Sequence, residues 1–148
     1  MAVISETSAI FRLHGDELDP DEVTALLGVP PSDSRKKGGP WHTPKGKPMI
    51  AHTGRWTLKI DRAVPGDLSG QIRQLLTKMT GDLGVWRDLT SRFEADVLCG
   101  LWLNRSNEGE ALTPEVLLML GQRNIKLEFD IYSGGDGNIE EAEAEIST

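Results

Sequence analysis

The chain has 148 residues and one cysteine, Cys99, so no disulfide can form within it and a reducing compartment is the expected setting. Histidine is scarce too, with three residues. His14, His42 and His52 form no H-E-x-x-H, Cys99 has no C-x-x-C partner, and no metal is expected. G-x-S-x-G, Walker and G-x-G-x-x-G patterns are all missing, so neither a catalytic residue nor a cofactor is nominated. Bases are in the minority, 16 Lys and Arg against 23 Asp and Glu, and the net charge of −7 argues against generic adhesion to nucleic acid or anionic membranes. No apolar run approaches the ~20 residues of a membrane helix. The first residues lack the basic and apolar regions of a signal peptide. The expected location is cytoplasmic.

What is present has an ordinary globular balance, 38% hydrophobic and 26% charged, and is long enough for one domain with a core of its own. Charge divides it. Residues 133–148 carry five acids and no base, after a Gly-rich Ser133-Gly134-Gly135-Asp136-Gly137 stretch, and are expected to be a solvated, disordered tail. Residues 1–132, with 18 acids and 16 bases, are the expected domain.

Periodicity predicts the elements of that domain. Phe93, Ala95, Val97, Cys99 and Leu101 alternate with more polar neighbours over residues 93–103, and Ile125, Leu127, Phe129 and Ile131 do so over 125–132. Shorter alternations mark strands at 9–14 and 56–60. Asp19-Pro20-Asp21-Glu22 opens a helix with an N-cap, a first-turn proline and a capping-box glutamate, and Gly28 ends it. Thr113-Pro114-Glu115 opens another, with Gly121 or Asn124 available as its stop. A stripe from Leu68 to Leu89 predicts helix between strands two and three, bent near Gly81. The predicted fold is α+β: a two-layer sandwich with a four-stranded, mainly antiparallel sheet and helices on one face, in a ferredoxin-like βαβ-α-βαβ order.

Two surfaces are candidates for function. From Ser34 to Ile60 there are seven bases (Arg35, Lys36, Lys37, Lys45, Lys47, Arg55, Lys59) and no acid, with Trp41 and Trp56 among glycines and prolines. It reads as a long solvated loop, or as an anion-binding one in which Trp41 supplies a stacking face or an anchor. The sheet face opposite the helices is expected to expose Ile10, Leu98, Trp102 and Tyr132 amid Arg12, His14, Lys59 and several acids. The expected binding residues are therefore Arg12, His14, Trp41, Arg55, Lys59, Trp102 and Tyr132. A groove between loop and face, walled by Trp102, is the expected pocket.

The Leu18-Asp19-Pro20-Asp21-Glu22-Val23 helix start, Lys37-Gly38, Gly54-Arg55-Trp56, Cys99-Gly100-Leu101-Trp102-Leu103, Leu112-Thr113-Pro114-Glu115-Val116 and the Leu127-to-Tyr132 strand together resemble one family. It is the bacterial "domain of unknown function 4279" family, and the resemblance covers about residues 8–132. It implies a bacterial, cytoplasmic protein with no assigned activity and carries over no catalytic residue. The expected function is a non-enzymatic interaction module, a homo-oligomer or the binder of a protein partner, acting through the open face and segment 34–60. The alternatives are a small-anion binder or enzyme using Arg12, His14 and Lys59, and a nucleic-acid binder using the basic segment.

Overall fold

Ala9, Phe11 and Leu13 alternate with Ile10, Arg12 and His14, and that period of two makes this segment the middle strand of the sheet. The computed structural model describes residues 2–133. In chain order these form β1 (Ala2–Val3), β2 (Glu6–Gly15), α1 (Pro20–Leu27), β3 (Asp33–Arg35), β4 (Pro40–His42), β5 (Pro48–Ile50) and β6 (Gly54–Lys59). There follow α2 (Leu68–Lys78), α3 (Leu83–Arg92), β7 (Glu94–Trp102), β8 (Glu108–Gly109), α4 (Pro114–Gln122) and β9 (Lys126–Tyr132). The expected acidic tail lies outside the described residues, apart from Ser133.

The main sheet has five strands in the order β3-β6-β2-β7-β9. Helices from all four segments cover one of its faces: Val23, Ile72, Trp86 and Val116 join Phe11, Leu13, Trp56, Val97 and Cys99 in one core. Phe11 sits edge-on between Trp56 and Trp86, at ring distances of 5.9 and 5.5 Å. Both indole N–H groups are satisfied, Trp56 donating to Thr24 Oγ1 and Trp86 to the Thr80 carbonyl.

The α+β class is as expected, and three of the four pairings in the main sheet are antiparallel, but the four-stranded, ferredoxin-like description is corrected in two places. Asp33-Ser34-Arg35, too short and polar to read as a strand, forms β3 at the sheet edge. β3 is antiparallel to β6, and β6 to β2, so α1 carries the chain to a strand parallel to β2 with β6 between them. In the second half no strand separates the pair: α4 returns the chain so that β9 lies parallel and directly beside β7. The basic segment is likewise not a bare loop. After β3 it folds into the β4–β5 hairpin, pairing Pro40 with Ile50 and His42 with Pro48, and Gly46 takes the left-handed conformation (φ 86°) in its turn.

The helix signals hold with one exception. Asp19 accepts from the Asp21 N–H, and Gly28 closes α1 at φ 78°. Residues 79–82 break the central helix near Gly81, and Asp82 caps the second piece by accepting from the Gly84 N–H at 2.9 Å. Thr113 caps α4, and Asn124 ends its last turn at φ 56°. Glu22, expected to complete a capping box, instead receives Arg92 Nη1 at 2.9 Å. No described helix is long and apolar enough to cross a membrane.

Candidate functional site

Strand register arranges the side chains that point away from the helices in rows. His14 lies between Arg55 and Glu94; Arg12 lies between Thr57 and Asp96, with Lys126 beyond. Ile10 lies between Lys59 and Leu98, with Glu128 beyond, and Trp102 lies between Glu6 and Tyr132. One end of this open face is therefore charged and the other aromatic.

At the charged end, Arg12, His14, Thr53, Arg55, Glu94, Asp96, Lys126 and Glu128 line a shallow cleft of about 330 Å³. Arg12 grips Asp96 with both arms of its guanidinium, Nε to Oδ1 at 2.7 Å and Nη2 to Oδ2 at 2.9 Å, and Nη2 also reaches Glu128 at 3.0 Å. Burial opposes the Arg12 charge, but the bonds and charges of Asp96 and Glu128 outweigh it and hold the guanidinium above its usual value. Arg55 moves the other way: burial first, then repulsion from Arg35 and Arg12, pulls it down. Lys126 binds Glu128 at 2.9 Å, and His14 Nε2 lies 3.0 Å from Glu94. Three carboxylates thus face the cations of this cleft, which makes it largely self-neutralising.

The aromatic end is covered rather than open, contrary to the expected exposed patch. Ile10, Leu98 and Trp102 are all less than a tenth exposed and form a second, smaller core with Tyr132 against it. Tyr132 stacks on the Trp102 ring at 5.3 Å and 13°, and the Arg62 guanidinium sits 4.4 Å from its centroid. Gly100 makes this arrangement possible: a Cβ there would stand 2.5 Å from Trp102 Cη2 and 2.6 Å from Ser8 Oγ. The open face therefore offers charge and little free apolar surface.

Of the expected binding residues, the structure brings together Arg12, His14 and Arg55. Trp102 and Tyr132 meet each other, away from the cleft. Lys59 is exposed and does not line it. Trp41, on the β4–β5 hairpin, lies under the Arg35 guanidinium of β3 at 3.6 Å, which ties the hairpin to the sheet edge. Cys99 is fully buried in the main core, and burial, with a smaller contribution from Asp96, pushes its thiol up to about 12. His42 and His52 are exposed, and no metal-binding cluster of His, Cys, Asp and Glu occurs among the described residues.

One surface was not anticipated. Phe129 and Ile131, expected to complete the core side of the last strand, are 48% and 65% exposed. β9 ends the sheet, and α4 covers only its start: Leu127 packs on the core, but Phe129 and Ile131 lie past it. Leu117 and Leu118 on α4 are exposed as well, at 51% and 60%. The strand's alternation was legible in sequence; its place at the edge depends on the β7–β9 pairing, which no local pattern specifies.

A mixed sheet with four helices on one face and a charged cleft on the other defines a two-layer α+β protein. More particularly, a family model for a domain of unknown function (DUF4279) matches residues 5–134, and the chain belongs to that family. No curated protein and no solved structure matches it.

Proposed function

We propose that the protein is an interaction module that associates with a second copy of itself along β9. The observation that carries this reading is the pairing, on one terminal strand, of an outer edge with no strand partner among the described residues and two large exposed apolar side chains. Single exposed hydrophobics are common on protein surfaces, whereas a seven-residue edge with two on one side is a template for another strand. An antiparallel union centred on Glu128 sets Lys126 opposite Asp130 and Leu127 opposite Phe129, so charge meets opposite charge and apolar meets apolar. The two Glu128 carboxylates then meet at the axis, each already held by its own Arg12 and Lys126. This edge is favoured over the open face because Ile10, Leu98 and Trp102 are already covered. It is favoured over nucleic-acid binding by segment 34–60 because Arg35 occupies one face of Trp41.

Sedimentation velocity of the full chain over a concentration series tests the reading. The expected result is a reversible dimer that Phe129→Lys and Ile131→Lys each convert to a folded monomer, since neither side chain belongs to the core. A monomer at every concentration, or a dimer that survives both substitutions, overturns it.

A further inference from the structure

A second cleft, of about 420 Å³, lies on the helical side between α3 and the end of α4, far in character from the self-neutralised open face. Leu83, Arg87 and Thr90 line it from α3, and Gln122, Arg123 and Asn124 from the end of α4 and the residues after it. None of the residues lining it is acidic. Several other arginines find carboxylates: Arg12 holds Asp96, Arg62 holds Glu6, Arg73 holds Glu115 and Arg92 holds Glu22. Among the described residues, neither Arg87 nor Arg123 has a carboxylate within ion-pair distance. Arg123 is only 9% exposed, and its Nη1 donates to the Met119 carbonyl at 3.1 Å, but its Nε is buried without a hydrogen-bond partner. A buried donor left unsatisfied is costly, and a charged one more so.

From this geometry we infer that the α3–α4 cleft is a binding site for a small phosphate monoester, with Arg123 and Arg87 holding the phosphate and Leu83 facing the organic part. Two guanidinium groups supply forked donors that match phosphate oxygens, and the Gln122 and Asn124 amides add donors beside them. The cleft is larger than a bare phosphate requires, and Leu83, 38% exposed, gives it an apolar wall for the remainder of the ligand. The C-terminal carbonyls of α4 oppose an anion with roughly half a charge. Two full positive charges exceed that, and the Met119 carbonyl is already engaged by Arg123 Nη1. Burial pulls the Arg123 guanidinium below its usual value, which an anion beside it would reverse. This site shares no residue with the β9 edge, so it stands or falls independently of self-association.

Calorimetric titration of the full chain with phenyl phosphate, inorganic phosphate and benzoate tests the inference. Phenyl phosphate is expected to bind saturably, one per chain and more tightly than inorganic phosphate. Arg87→Ala, at an exposed position, and Arg123→Gln are each expected to weaken it about tenfold or more. Arg87→Ala alone decides the matter if Arg123→Gln does not fold. Absence of saturable phenyl phosphate binding, binding that Arg87→Ala leaves unchanged, or benzoate binding as tight as that of phenyl phosphate would overturn the assignment.

Discussion

Arg12 connects more of the open face than any other side chain described above, and it does so because of its row: β7 sets Asp96 beside it, and β9 brings Glu128 within reach. Asp96 is 3% exposed and relies on that guanidinium. Arg12→Met therefore leaves a buried carboxylate without its partner and is expected to destabilise the fold by about 3–5 kcal/mol, measured by urea denaturation at neutral pH. Replacing both, Arg12→Met with Asp96→Leu, is expected to recover most of the loss. Glu128 makes a second prediction. The hydrogen bond from Lys126 foremost, then the charges of Lys126 and Arg12, hold its carboxyl below the usual 4.5 despite some burial. A carboxyl lowered on folding contributes stability in full above its unfolded value, and that contribution disappears as pH falls through the folded value. Wild type is thus expected to be more stable than Glu128→Gln at pH 7, with the difference closing on acidification below about 4.5. Arg12 and His14 were legible as neighbours because alternation places them on one face, whereas Arg55, just before the strand expected at 56–60, was read as part of the basic segment. That Arg12 is committed to carboxylates was not legible, since register across β2, β7 and β9 fixes its partners.

At the scale of elements, the signals that proved readable were the ones the backbone itself requires. Asp19 with Pro20, Thr113 with Pro114 and the glycines near residue 81 announce helix ends because those ends leave N–H groups to cap or turns to close. The Asp82 cap shows how much such a signal carries: Asp82→Ala is expected to cost about 0.5–2 kcal/mol in thermal or urea unfolding, with α3 the first helix to lose exchange protection. β3 gave no comparable signal. Three polar residues become a strand only because β6 offers them an edge, through pairs such as Ser34 with Trp56. The β4–β5 hairpin was hidden in the same way by Pro40 and Pro48, which sit comfortably in short edge strands but weaken any strand reading from sequence. Phe129 and Ile131 read correctly as one face of a strand, and their exposure follows from how far α4 reaches along β9.

For the whole molecule, the helices bury one face of the sheet, Tyr132 and Arg62 cover the aromatic part of the other, and paired charges occupy the rest. What this leaves uncommitted among the described residues is the β9 edge with its apolar side chains and the acid-free cleft between α3 and α4. The class of fold was readable from the alternation of strand and helix. The strand order that puts β9 at the edge was not, because it rests on long-range pairing. Residue-resolved amide hydrogen exchange along β9 examines the central claim most directly, comparing concentrated and dilute full chain. Outward-facing amides of β9 are predicted to be protected when concentrated, and to lose that protection on dilution and in Ile131→Lys. Outward amides that exchange as fast as exposed loop amides at every concentration would contradict association through this edge.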